Sequence, residues 1–192
     1  WAMSMDGRIA LRNGHSKWIT NNYSRQAVHS YRANFDAIII GGNTLRKDNP
    51  FLTSRGLKEK EPLRVVFTKT LDLPKNCNLW DKSLARTLII YDGSEISPEK
   101  LKEIPAGIEA RDLSSHDPSA LLELLAKEGC NNVLWECGPS LATSALRAGC
   151  VQEIFAFMAP KILGGQKAMN PISDLGFKNM DEVIKLHEIE IN

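Results

Sequence analysis

Asp36-Ala-Ile-Ile-Ile-Gly-Gly-Asn-Thr44 is the stretch on which the fold turns. The run from Asp36 to Gly41 is short, β-branched and apolar at both alternations, the pattern of a strand buried on both faces. Glycines end it, letting the backbone approach a ligand closely, and Thr44 offers a hydroxyl where a short helix begins. Working outward, residues 63–68, 87–91, 132–136 and 154–158 read as strands of the same kind. Helical periods separate them. Tyr23, Ala27, Tyr31 and Phe35 recur every four residues as one stripe, with Asn21 or Asn22 placed to cap it. Leu121, Leu122, Leu124 and Leu125 lie in a helix over 118–128, capped by Asp117 and stopped by Gly129. Pro139 opens a third helix that ends near Gly149. Strands interleaved with helices predict an α/β fold with a mainly parallel central sheet. Residues 153–160 and 181–191 follow one another with no long helix between, which predicts an antiparallel C-terminal edge.

The length, 192 residues, is that of one domain, large enough to bury roughly 70% of its unfolded surface without a disulfide or metal. Lys and Arg number 24 against 23 for Asp and Glu, so no broad basic surface exists for a nucleic-acid backbone. No apolar run approaches a bilayer span, and the first residues lack the pattern of a signal peptide. Cys77, Cys130, Cys137 and Cys150 form no Cys-x-x-Cys pair, and the four histidines lie far from them in sequence. Free thiols in a reducing compartment are expected, with no metal site. Trp1 stands as if in mid-strand and residues 187–192 alternate like a strand without a turn, so the expectation is a domain excised from a longer polypeptide.

Ligands of open parallel sheets bind where strand ends lead into helix starts. Three glycine-bearing segments occupy such places: residues 41–44, Glu136-Cys-Gly-Pro-Ser-Leu141, and Leu163-Gly-Gly-Gln166. None is a Gly-x-Gly-x-x-Gly fingerprint. Each alone reads as an ordinary connection; together they point to a phosphate or nucleotide. Asp48, Thr53 and Arg55 fall on an irregular loop, with Pro50 expected to hold Asn49 extended. Trp18 within Ser16-Lys-Trp-Ile-Thr20 is either a packing lid or a surface on which a ring stacks. Arg25, His29 and Arg32 share a helix face that could lend an arginine to a phosphate. Lys58-Glu-Lys-Glu61 reads as a solvated loop. These residues offer a binding site without a reaction.

Ala2-Met-Ser-Met-Asp-Gly-Arg8, the Trp18 segment, Gly42-Asn-Thr-Leu-Arg-Lys-Asp-Asn-Pro50 with Leu52-Thr-Ser-Arg55, the Glu136 segment and Ala159-Pro-Lys-Ile-Leu-Gly-Gly165 run in order along nearly the whole chain. Together they resemble the reductase domain of the bifunctional riboflavin-biosynthesis deaminase-reductase family. The resemblance implies a dihydrofolate-reductase-like fold, an upstream deaminase-type domain, and an NADPH-dependent reduction. The implied substrate is a phosphorylated pyrimidine, 5-amino-6-(5-phosphoribosylamino)uracil, whose ribosyl group becomes ribityl. Carried over by motif, Ala2, Trp18, Thr44 and Asp48 would line the NADPH site. Gly138, Pro139, Ser140, Leu141, Ala142, Thr143 and Ser144 would cradle its phosphates. Ser16, Arg32, Leu52, Arg55 and Glu136 would contact substrate, and Asp48 is the candidate catalytic group. A homodimer is implied, in the cytoplasm, or in the plastid stroma of a plant.

Two departures stand out. The family has a lysine just before the position of Trp1, and an Asp followed by Ser or Thr where this chain has Thr68-Lys69. Lys69 is expected to point to water, the alternative being the 2′-phosphate of NADPH. Rival readings are a reductase of the undeaminated diaminopyrimidine or of folate, and a non-catalytic nucleotide-binding remnant. Arg32 and Arg55 argue against folate, which carries no phosphate.

Overall fold

In the computed structural model, which describes residues 1–191, Ala37, Ile38, Ile39 and Ile40 are wholly inaccessible to solvent. They form β2 (Ala37–Gly41), which follows β1 (Ala2–Ser4) and α1 (Asn22–Asn34). Beyond it come α2 (Gly42–Asp48), β3 (Leu63–Thr68), β4 (Thr87–Tyr91), α3 (Pro98–Leu101) and β5 (Glu109–Asp112). α4 (Pro118–Lys127), β6 (Val133–Trp135), α5 (Pro139–Arg147) and β7 (Phe157–Ala159) complete the order. Five strands make one parallel sheet in the order β5-β4-β3-β2-β6.

Alternate side chains of this sheet feed two apolar layers. Ile39, Val65, Phe67, Leu88 and Ile90 pack against Leu121 and Leu125 of α4. Ile38, Ile40, Val66 and Ile89 pack against Leu45 of α2 and against Leu52, Leu71 and Leu79. Arg64, fully buried in β3, ties the segment beneath this second layer: its Nη2 donates to the carbonyls of Leu79 (3.0 Å), Asp81 (2.8 Å) and Ala85 (2.6 Å).

The caps form as expected. Asn21 Oδ1 accepts from Ser24 N at 3.0 Å, the Asp117 carboxylate from Ser119 N and Ala120 N, and Pro139 opens α5. The stripe on α1 packs only in its C-terminal half: Tyr31 lies against Phe155, ring centres 4.3 Å apart, whereas Tyr23 is 81% exposed.

Four local expectations are corrected. The strand expected at 154–158 is confined to β7, which pairs in parallel with β1 as a separate two-stranded sheet. The C-terminal antiparallel edge does not form. Residues 181–191 hold a 3₁₀ turn at Met180–Glu182 and then irregular backbone, and Ile189 and Ile191 stand exposed. A lone alternating segment has no ladder to satisfy its backbone, so it stays irregular. The one antiparallel pairing among the described residues is the bridge between Ala10 and Met169. Asn49 is not extended before Pro50 but left-handed, φ 41°. Its carbonyl and side-chain oxygen both accept from Asn78, at 2.6 and 2.8 Å, which holds it there.

Glu61 is the fourth. It is a loop clamp, not a solvated charge: its carboxylate accepts from Ser54 N (2.5 Å), Ser54 Oγ (3.0 Å) and Gly56 N (3.2 Å). Leu52 (φ 53°) and Arg55 (φ 57°) take left-handed backbone in this loop, a conformation that non-glycine residues adopt only under such restraint.

Candidate active site

The strand order places β3, β4 and β5 successively to one side of β2, and β6 to the other. The direction of winding therefore reverses between β2 and β6, the position at which open α/β sheets open a crevice beyond their carboxyl ends. α2 leaves β2 there and α5 follows β6. Their starts nearly touch: a Cβ on Gly138 would lie 3.9 Å from Thr44 Oγ1, and one on Gly41 would lie 3.8 Å from Leu141 Cδ2. At Gly42 any side chain would fall 2.8 Å from Thr68 Oγ1, so this start admits glycine alone without displacement. No side chain caps α5, and Pro139 has no N–H. The open N–H groups of its first turn and the positive end of its dipole suit a phosphate.

A cavity of about 1250 Å³ opens at this point. It exceeds the roughly 300–1,000 Å³ of a single small-molecule site. Ala2, Ser16, Trp18, Thr44, Asp48, Glu136, Gly138, Pro139 and Ala142 all reach its wall, so most of the expected set converges. Arg32, Leu52, Arg55, Ser140, Leu141, Thr143 and Ser144 do not line it. Thr143 is buried; its Oγ1 donates to Pro139 O (2.7 Å) and accepts from Ser173 N (2.8 Å), which anchors the following segment to α5. Leu141 packs on the sheet, and Ser144 Oγ donates to Ser140 O.

The 15–20 loop overhangs the cavity. Trp18 is 64% exposed, with the Arg25 guanidinium 4.3 Å from its ring centre. Lys161 Nζ donates to the Trp18 carbonyl at 2.7 Å, linking this loop to the glycine segment near the chain's end. That segment is in turn held by Asp6, whose carboxylate accepts from Leu163 N (3.0 Å), Gly164 N (2.7 Å) and Ser4 Oγ (2.6 Å). Those bonds, led by the one from Ser4, lower its pKa to about 2.

Asp48 has the opposite tendency. Desolvation at the cavity wall raises its pKa above the ordinary carboxylate value, with Lys17 and Lys47 opposing the shift. A carboxyl moved in this direction is better placed to hold a proton. Cys137, also on the wall, is pushed up to about 12 by burial and carries no nucleophilic thiolate at neutral pH.

Arg32 and Glu136 meet behind the wall. Nε and Nη2 of Arg32 donate to the two carboxylate oxygens, both at 2.7 Å, and Nη1 donates to Thr53 O at 3.2 Å. Arg32 is thus engaged by protein, while Arg55, on the clamped loop, is exposed. His29 stands near both; burial, then the charges of Arg32 and Arg55, lower its pKa. Lys17, Asn43 and Lys47 also line the cavity and were not among the expected residues. Their signal was adjacency: each neighbours a residue that the motifs singled out. Among the described residues no group of three or more His, Cys, Asp or Glu side chains converges as a metal site. No helix there is long and apolar enough to cross a membrane.

Comparison with known proteins agrees with this geometry. The RibD C-terminal domain family matches residues 1–191. The chain is 43% identical to the riboflavin biosynthesis protein RibD of Synechocystis sp., over 98% of this chain and 51% of that protein. It is 40% identical to the chloroplastic riboflavin biosynthesis protein PYRR of Arabidopsis thaliana, over 98% of this chain and 32% of that one. The chain thus spans about half or less of the length of these relatives. Among solved structures, Acinetobacter baumannii RibD superposes with a TM-score of 0.81 at 27% identity, over 98% of this chain and 52% of that one. The Thermotoga maritima deaminase/5-amino-6-(5-phosphoribosylamino)uracil reductase gives 0.77 at 27%, over 96% and 49%. The expected dihydrofolate-reductase-like α/β fold is that of these neighbours, and the chain belongs to the RibD C-terminal domain family.

Proposed function

We propose that this domain is an NADPH-dependent reductase that converts the ribosyl group of 5-amino-6-(5-phosphoribosylamino)uracil to its ribityl form in riboflavin biosynthesis. The observation that carries the reading is the meeting of the α2 and α5 starts at the winding reversal, opening into the cavity that holds Trp18, Asp48 and Glu136. The uncapped first turn of α5, with Gly138 and Thr44 side by side, is a donor set fitted to a diphosphate. NADPH, when bound, supplies the hydride that reduces the sugar C1.

The remaining work belongs to the chain. Trp18, over the cavity mouth, gives a flat surface for a ring. Asp48, at the wall with its pKa raised by desolvation, relays a proton to the nitrogen of the opened imine as C1 accepts the hydride, which balances the charge. Arg32 fixes Glu136, which faces the substrate, and Arg55 is the arginine left for the phosphate. Ser16 completes the substrate set at the wall, Leu52, whose side chain is in the core, can join it only through its backbone, and residues 138–144 act through the backbone of α5.

The same reading makes residues 1–192 a single reductase domain beside a deaminase-type domain, in the cytoplasm or in the plastid stroma of a plant. The relatives' greater length and the chloroplastic location of the Arabidopsis protein support it. A homodimer belongs to it as well, supported by exposed apolar side chains such as Met180 and Ile189.

The test follows NADPH absorbance with the full-length protein, supplied separately with the deaminated and undeaminated pyrimidines. Oxidation with the deaminated compound is expected. Tight NADPH binding with no turnover of either would leave a non-catalytic nucleotide-binding module.

A further inference from the structure

Residues 51–56 are pinned from three sides, and Arg55 is the side chain they present. Arg64 Nη1, from the buried guanidinium of β3, donates to Phe51 O at 3.5 Å. Arg32 Nη1 donates to Thr53 O at 3.2 Å while its other two nitrogens hold Glu136. Glu61 closes the turn. Its Oε2 accepts from Ser54 N, and its Oε1 accepts from Ser54 Oγ and Gly56 N, so one carboxylate brackets Arg55 on both sides. Lys58 Nζ, inside the closed turn, donates to Phe35 O at 3.1 Å and ties the turn to the end of α1. Leu52, Thr53 and Ser54 are buried, whereas Arg55 is exposed.

The bracketed residue is also the one that needs holding. Arg55 takes φ 57°, and a non-glycine residue leaves that region for extended or right-handed backbone when nothing restrains it. Either change redirects its Cα–Cβ bond, and the guanidinium at the end of the long side chain moves with it. A side chain projected from fixed backbone loses less freedom on binding, so the clamp favours a ligand contact. The place it serves is defined as well. His29 on α1 feels the charges of Arg32, Arg55 and Glu136 together, so Arg55 stands beside the Arg32–Glu136 pair, outside the cavity wall that Glu136 lines. Among the described side chains Arg55 has no carboxylate partner, whereas Arg32 is committed to Glu136.

Resting on the phosphate role proposed above for Arg55, we infer that Glu61 is a positioning residue of the substrate site: it fixes the backbone from which Arg55 reaches the substrate phosphate. Glu61 acts through Arg55 alone. Its effect passes through the N–H groups of Ser54 and Gly56, so it falls on affinity for the phosphorylated compound and not on the reduction itself. Glu61→Ala removes the clamp. Glu61→Gln keeps its shape but replaces one acceptor oxygen by an NH2 donor, which opens one side.

The test measures KM and kcat of the full-length protein with the phosphorylated pyrimidine and with its dephosphorylated analogue. Glu61→Ala should raise KM about fivefold for the phosphorylated compound and less than about twofold for the analogue, with kcat nearly unchanged. Glu61→Gln should fall between it and the wild type, and carries the same comparison where Glu61→Ala does not fold. In an Arg55→Ala background, Glu61→Ala should add less than about twofold, because the residue it positions is gone. An equal rise for both compounds, an undiminished effect in the Arg55→Ala background, or unchanged KM in both Glu61 variants would overturn the positioning role and leave the phosphate role of Arg55 standing. A wild-type protein that does not distinguish the two compounds would overturn that phosphate role, and this inference with it.

Discussion

Arg32 and Glu136, 104 residues apart in sequence, join through two parallel 2.7 Å hydrogen bonds between α1 and the turn that leads into α5. Their side chains are only 12% and 22% exposed, so neither is well hydrated without the other. Removing one partner strands the other charge, which costs more than removing both. Arg32→Ala should therefore destabilise the fold by about 2 kcal/mol. The double variant with Glu136→Ala should lose less than the sum of the single losses. Urea midpoints of the four proteins measure the coupling; strict additivity would mean that the pair contributes nothing.

Arg55 presents the contrasting case, an exposed guanidinium on a backbone held by Glu61. Arg55→Ala should raise KM about tenfold for the phosphorylated substrate and little for its dephosphorylated analogue, with kcat nearly unchanged. An equal rise for both compounds would remove the phosphate role.

On the proposed function, Asp48 should link stability and activity in opposite directions. Its folded pKa is raised, so its contribution to stability is full below the ordinary carboxylate value, about 4, and is lost as pH rises through the folded value. At neutral pH the ionised group is a liability to the fold. Asp48→Asn should leave the protein as stable or slightly more stable at pH 7, by a few tenths of a kcal/mol, while lowering kcat at least tenfold. A variant that loses NADPH affinity and keeps kcat would make Asp48 a coenzyme anchor instead.

Asp6 has the reverse sign. Its pKa is lowered to about 2, so the stability it confers is full above the unfolded value near 4 and disappears as pH falls through about 2. Asp6→Asn should remove part of the protein's sensitivity to acid between about pH 4 and 2. Thermal midpoints at pH 5 and pH 3 should differ less for the variant than for the wild type; an equal difference in both would exclude Asp6 as a source of that sensitivity.

The parts of this fold that are legible in sequence are those whose burial leaves a local pattern. β2, β3 and β4 are read correctly because both faces are covered and each carries a run of at least three consecutive apolar residues. β5, Glu-Ala-Arg-Asp, carries no such mark because it closes the edge of the sheet, where charged side chains find water. The C-terminal alternation misleads for the complementary reason: period two describes a strand only where a neighbour offers a ladder. In the site, Thr44, Asp48 and Gly138 follow from strand-to-helix junctions and motif. The pairing of Arg32 with Glu136 and the clamp of Glu61 on Ser54 and Gly56 do not, because each depends on which distant segments the fold brings together.

The junction of Thr44 with Gly138 has a consequence for when the candidate site is completed during folding. One side is available once β2 and α2 form; the other waits for β6 to add to the opposite flank of β2, nearly a hundred residues later in synthesis. Contacts of such long separation are late and cooperative in folding. A chain with β2 to β5 assembled but β6 undocked has most of its core and lacks the α5 half of the proposed coenzyme site. On the coenzyme reading proposed above, occupancy should mark completed chains, and a pool of free coenzyme should draw the last docking step forward by mass action.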